Sequence, residues 1–302
     1  MVPQGITAAR SAFLRKFSAT AGQWCKTRRI FQLDRPGRPP YLSQMTKIHL
    51  IHGDCIAGMK KLARNSVDAV VTSPPYNIGI KYSSYADRLP LRKYMAWSRR
   101  WMKQLHNVLK EDGSFFLNVG GSLKSPLLPH QLLLLAIQDG WVLQNTIHWV
   151  KSITIQKDVP VSAGHFKPVP GERFLNNCHE YVFHLTKTGD VRLNRLAVGV
   201  PYADKSNITR WGHTAGKDKR CRGNTWFVPY PTIQKKKSHP ATFPTLLAQW
   251  CFQLHGNVQV GLDPFVGIGH AAHGAKAAGV AEFYGFDLDK EYLAEGRASL
   301  GL

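Results

Sequence analysis

The chain has 302 residues, 43% of them hydrophobic, enough for one large α/β domain or for one domain with a sizeable insertion. Lys and Arg number 40 against 19 Asp and Glu, and the excess is uneven: residues 151–237 carry 16 basic and 6 acidic side chains, residues 238–302 carry 3 and 6, which points to a polyanion held against one part of the surface. The lack of any apolar run of about 18 residues argues against a spanning helix, and Cys25, Cys55, Cys178, Cys221 and Cys251 form no C-x-x-C pair, which argues against a zinc ribbon or disulfide framework and for a reducing, cytoplasmic setting.

Residues 1–44 are rich in Arg, Ser, Ala and Thr, with Asp34 as their one acid, and 35–40 (Arg-Pro-Gly-Arg-Pro-Pro) read as a linker. This stretch is expected to be a disordered basic extension, either an arm or sequence upstream of a start at Met45; a mitochondrial-type transit peptide is the alternative. From Met45 the pattern becomes regular. Residues 48–51 form a short apolar run ending at Gly53-Asp54, and 67–71 a second ending at Thr72-Ser73-Pro74-Pro75. Tyr94, Trp97, Trp101, Leu105 and Val108 mark one face of a helix over 90–109, which Glu111-Asp112-Gly113 is expected to stop. A strand over 114–119, a helix over 127–138 and a long strand over 141–150 follow. Regularity weakens over 151–224, where 178–185 still reads as a strand. Order returns with a helix over 244–254, a strand over 258–262, a helix over 270–278, a strand over 282–286 and a final helix over 291–300. The alternation predicts a largely parallel sheet with helices on both faces.

In such sheets ligands bind beyond the carboxyl ends of the strands. Asp54, Ser73, Asp263 and Asp287 all fall at such ends. The loop Asp263-Pro264-Phe265-Val266-Gly267-Ile268-Gly269 lets backbone approach a ligand at a helix N-terminus. Asp287, at the end of the next strand, suits two ribose hydroxyls, so the pair reads as a nucleoside site. Gly267, Gly269 and Ala272 also fit G-x-G-x-x-A of dinucleotide enzymes. Against that reading, 15 residues follow Asp287, too few for a nicotinamide half. Asp263 would also repel a pyrophosphate, yet welcome an amino-acid ammonium such as that of S-adenosyl-L-methionine. Ser73-Pro74-Pro75-Tyr76 suits chemistry on an exocyclic base amine, whose lone pair is delocalised into the ring. Acceptors aimed at its two hydrogens favour the attacking geometry; the Ser73 oxygen and the Pro74 carbonyl are the candidates, on a loop that proline stiffens. Tyr76 offers a face for a base flipped from the duplex.

Together these residues resemble the DNA amino-methyltransferases of the permuted β class, over nearly the whole chain after the extension. Ser73-Pro74-Pro75-Tyr76 resembles the family's catalytic motif, Asp263-Pro264-Phe265-x-Gly267-x-Gly269 its methionine-binding motif, and Asp287 its ribose-binding acid. Gly53-Asp54-Cys55 is similar to the segment contacting the cofactor adenine. His239-Pro240-Ala241-x-Phe243-Pro244 resembles the segment closing over the methionine end, with Asn224-Thr225-Trp226 just before it. His270 departs from the family's usual Thr or Ser. The resemblance implies a Rossmann-like methyltransferase fold over 45–302 in circularly permuted order, with 151–224 as a target-recognition insertion. It implies S-adenosyl-L-methionine as cofactor, double-stranded DNA as substrate, direct transfer without a cysteine adduct, and a monomer or homodimer with or without a cognate restriction endonuclease. Ser before Pro-Pro-Tyr implies cytosine N4 as target. Adenine N6, an RNA substrate, and a nucleic-acid-binding module with an idle cofactor pocket are the alternatives. Phe265 is expected either to face the sulfonium or to pack.

Overall fold

The structure, a computed structural model, describes residues 45–302 apart from 83, 153–171, 176 and 230–241. The extension expected over 1–44 lies outside the described residues. In chain order the strands are β1 (Lys47–His52), β2 (Val67–Thr72), β3 (Leu109–Val119), β4 (Val142–Ser152), β5 (His179–Thr186), β6 (Thr225–Pro229), β7 (Val260–Asp263) and β8 (Glu282–Asp287). The helices are α1 (Cys55–Met59), α2 (Leu91–Val108), α3 (Leu128–Gln138), α4 (Ser206–Arg210), α5 (Thr245–His255), α6 (His270–Ala278) and α7 (Lys290–Leu300).

An unbroken apolar strand needs cover on both faces. β2 is buried at all six positions and sits mid-sheet in the order β1-β8-β7-β2-β3-β5-β4-β6. Alternation then divides the core. Ala69, Val71 and Phe116 face a cluster with Leu247, Phe252, Ala271, Ala275 and Leu293 of α5, α6 and α7. Val70, Phe115 and Leu117 face one with Met59, Tyr94, Trp101, Leu105 and Leu132 of α1, α2 and α3. All neighbouring strands pair in parallel except β5, which lies antiparallel between β3 and β4. From β2 the chain crosses to β3 on one side, and from β7 to β8 on the other. The switch therefore falls between adjacent β2 and β7, and their carboxyl ends open the crevice where ligands bind in doubly wound sheets.

One expectation is corrected. Glu111-Asp112-Gly113 does not separate α2 from a strand starting at 114; β3 begins at Leu109, directly after α2. Val67 pairs with Leu109 and Ala69 with Ser114, so the intervening residues bulge within one strand. Lys110 there donates to the buried Asp68 at 2.5 Å, and Asp68 also accepts from Gln259 N and Val260 N, tying β2 to the start of β7. The strand expected over 178–185 is present as β5, paired on both sides within the sheet.

Candidate active site

β7 ends at Asp263, and the chain turns through Pro264 and Phe265 into a loop where Gly267 and Gly269 hold φ of +52° and +91°. Glycine takes that backbone at no steric cost, and the turn delivers the chain into α6. Asp287 Oδ2 accepts from Gly267 N at 2.8 Å, and its Oδ1 accepts from Asp289 N at 2.9 Å. Burial raises the Asp287 pKa against the pull of those bonds. A Cβ on Gly285 would stand 2.8 Å from Val266 Cγ2, so β8 and the loop pack at backbone distance.

Asp263 is 1% exposed. Its Oδ1 accepts from Thr72 Oγ1 at 2.5 Å and from Phe265 N at 2.9 Å, clasping the end of β2 to the glycine loop. Its Oδ2 is buried without a partner. Burial pushes its pKa up to about 7; the two bonds oppose that shift and the Asp287 charge adds to it. A buried acceptor left unmatched costs about 1–3 kcal/mol, and Oδ2 is such an acceptor. Asp54 caps α1 by accepting from Ala57 N at 2.9 Å, and Gly53 N donates to Asp287 O at 2.9 Å. Burial, and then the Asp54 charge, push the Cys55 thiol up, which favours its protonated form.

Beyond β2, Tyr94 OH donates to Pro75 O at 2.7 Å and pins the Ser73–Tyr76 loop to α2. The next residues are held by one carboxylate: Asp87, 3% exposed, accepts from the N–H groups of Asn77, Ile78, Gly79 and Ile80 at 2.7–3.1 Å. Ser73 Oγ and Tyr76 OH lie 2.7 Å apart. Tyr76 OH donates to Glu180 Oε2 at 3.0 Å, and Asn118 Nδ2 donates to the same oxygen and to Tyr76 OH, both at 2.9 Å. Reversing the Asn118 amide would set its oxygen against the Glu180 carboxylate, so Nδ2 faces the network. Lys151 of β4 pairs with Glu180 Oε1. Burial and the Glu180 charge hold the Tyr76 phenol well above its usual range, hence neutral.

These parts share one cleft of about 550 Å³. Asp54, Cys55, Ser73, Pro74, Pro75, Tyr76, Phe243, Pro264, Phe265, Gly267 and Asp287 line it, as sequence reasoning expected of a common site. Asp263 and Gly269 are not in that lining. His239 and Pro240 lie outside the described residues. Phe265 packs on Trp97 and Trp101, with centroids 5.4 and 5.3 Å away, while still lining the cleft. His270 finds a use in place of Thr or Ser: its Nδ1 donates to Phe243 O at 2.6 Å, fastening that segment onto the glycine loop. Asn118, Lys151 and Glu180 also line the cleft and escaped sequence reasoning. Among the described residues no His, Cys, Asp and Glu cluster could hold a metal, and no helix is long and apolar enough to cross a membrane.

The type II methyltransferase M.BglII of Bacillus subtilis is 29% identical over 86% of this chain and 71% of its own length. Among solved structures, the PvuII DNA methyltransferase, described as cytosine-N4-specific, superposes with a TM-score of 0.60 at 16% identity over 84% of this chain and 86% of its own. The M1.HpyAVI–SAM complex does so with a TM-score of 0.53 at 18% identity over 84% of this chain and 100% of its own. At those identities the likeness establishes the methyltransferase fold. The N6/N4 DNA methylase family model matches residues 67–297, and the chain belongs to that family.

Proposed function

We propose that the protein transfers a methyl group from S-adenosyl-L-methionine to the exocyclic N4 amine of cytosine at a specific sequence in double-stranded DNA. The observation carrying this reading is that Ser73 and Asp287, from loops 214 residues apart in sequence (287 − 73), line one cleft at the sheet's switch point. The cofactor fits the residues present. Asp287 has oxygens for ribose hydroxyls, the Gly267–Gly269 turn admits close backbone approach, and the unmatched Oδ2 of Asp263 suits an ammonium. Asp54 and Cys55 would border the adenine. Phe243 would stand at the methionine end. When bound, the cofactor supplies a methyl carbon made electrophilic by positive sulfur.

The protein's own contribution is to orient the amine. Ser73 Oγ and the Pro74 carbonyl accept its hydrogens, and Tyr94 and Asp87 keep their loop stiff. Tyr76 stands beside the incoming base. The Lys and Arg side chains of the basic stretch 151–224 hold phosphates. Ser73, where adenine enzymes of the resembled class usually carry Asp, supports cytosine. The test is incubation of the full chain with unmodified amplified genomic DNA and S-adenosyl-L-methionine, then digestion to nucleosides and mass spectrometry. N4-methylcytosine is expected. N6-methyladenine would reassign the base, and neither product, with cofactor binding intact by calorimetry, would overturn the enzymatic reading for DNA.

A further inference from the structure

Methylating an amine creates an acidic proton, and the described residues offer it a path. We propose that Glu180, held by Lys151, is a positioning residue that receives the proton of the methylated amine through Tyr76 and Ser73. The inference rests on the proposed amine methylation.

The hydrogen-bond directions carry the argument. The phenol has one proton; its oxygen lies 3.0 Å from Glu180 Oε2 and 3.3 Å from the Asn118 carbonyl, and the nearer, charged carboxylate is the stronger acceptor. The 2.7 Å bond between Ser73 Oγ and Tyr76 OH is then donated by Ser73. Asn118 Nδ2 sits 3.3 Å from Ser73 Oγ, leaving that oxygen acceptor capacity toward the cleft. The chain thus runs in one sense, from Ser73 through Tyr76 to Glu180. Glu180 is also built in. Lys151 engages Oε1, which leaves Oε2 to the phenol and to Asn118. A Cβ on Gly120 would stand 2.9 Å from Glu180 Cγ, so the absence of a side chain there makes its room. The ionisable groups around Glu180 are Lys151 on β4, Tyr76 on the loop after β2, and His179 beside it on β5.

The step balances. The amine nitrogen bonds the methyl carbon as the carbon–sulfur bond breaks, and that bond's electron pair stays on sulfur. The nitrogen is left positive. Its proton passes to Ser73 Oγ, the Ser73 proton to the Tyr76 oxygen, and the Tyr76 proton to Glu180 Oε2. Three protons each shift by one bond, the net transfer is one proton from the amine, and the carboxylate becomes neutral. A carboxylate suffices as acceptor because a methylated, positively charged base amine is a strong acid. Before the proton moves, the same negative charge favours the positive charge growing on nitrogen.

The decisive variants are Glu180→Gln and Tyr76→Phe, assayed in single turnover on unmodified DNA at saturating cofactor. Glu180→Gln is expected to lower the rate about 10²-fold and to leave the cofactor Kd unchanged. Tyr76→Phe interrupts the same chain and lowers the rate alike. A readout apart from activity is the ¹³Cζ resonance of Tyr76, assigned by its loss in Tyr76→Phe, which moves in Glu180→Gln because the phenol loses its charged acceptor. A Glu180→Gln enzyme within about threefold of wild type overturns the relay, and so does an unmoved Tyr76 resonance. Wild-type protein that methylates no DNA instead overturns the reading beneath it.

Discussion

Asp263 offers the sharpest quantitative test. Its carboxyl is buried, tied by Oδ1 to Thr72 and Phe265, and pushed up to about 7 by burial and by the neighbouring Asp287 charge. Cys55, the other titratable group coupled to it, stays neutral. If Oδ2 receives the ammonium of the cofactor, binding requires the ionised form. At about pH 6 only about one molecule in ten is ionised, so the apparent Kd rises about tenfold over its value well above pH 7, equivalent to about 1.4 kcal/mol. Asp263→Asn keeps the acceptor for Thr72 and Phe265 and removes the charge. It should weaken binding at pH 8 and abolish the pH dependence. The stability of the cofactor-free protein moves the other way. The folded pKa is raised above the ordinary 3.8, so this contribution is complete below that value and is lost as pH rises through about 7. Asp263→Asn should therefore melt higher than wild type at pH 8 while binding cofactor less well. The assay is calorimetric titration with S-adenosyl-L-methionine from about pH 6 to 8, in two buffers of different ionisation enthalpy so that released protons are counted. A wild-type affinity flat across that range, or an Asn variant that binds as tightly at pH 8, refutes the role given to Oδ2.

Three other outcomes are expected. Ser73→Ala and Tyr76→Ala should each lower turnover about 10²-fold or more while calorimetry finds the cofactor bound; full activity in either would remove its assigned role. His184 is fully buried, accepts from Asn145, donates to Ser114, and is held down to about 3 by burial and then by His255. A lowered folded pKa gives stability that is complete above 6.5 and lost as pH falls toward about 3, so urea melts should show about 2 kcal/mol less stability at pH 5 than at pH 7. His184→Phe, which keeps the stacking on Phe116, should lose that acid sensitivity. Gly274→Ala would set a Cβ 2.6 Å from Ala248 Cβ and 2.8 Å from Gln249 N, where α6 crosses α5. Calorimetric melting should find about 1–3 kcal/mol of lost stability, and an unchanged melt would mean the two helices can separate freely.

Much of the fold is local and so was open to reading. The parallel core strands announce themselves because burial on both faces demands apolar runs such as Val67–Thr72. α6 was legible because Gly267 and Gly269 precede it and Gly279, at φ +77°, ends it. The boundary at Glu111-Asp112-Gly113 was misplaced because charge and glycine look alike whether they end a helix or fill a bulge. Its resolution depends on which residues of β2 pair with β3, a partner 42 positions away in the Asp68–Lys110 contact.

The candidate site divides along the same line. Asp54, Ser73, Asp263, Gly267 and Asp287 were found from sequence because each sits beside a strand end or a glycine turn, which a local pattern marks. Their grouping also follows from the parallel order, which puts every such end on one edge. The Asn118–Glu180–Lys151 network had no local mark. It exists because β5 enters antiparallel between β3 and β4, bringing Glu180 to Tyr76 across 104 residues. The depth of Asp263, the Oδ2 left unmatched there, and the bond from His270 to Phe243 are likewise properties of packing. The amino-acid sequence by itself determined the strand ends and the chemistry carried on them. The tertiary structure alone decided which polar groups are buried together, because burial and pairing arise between segments that no short stretch of chain contains.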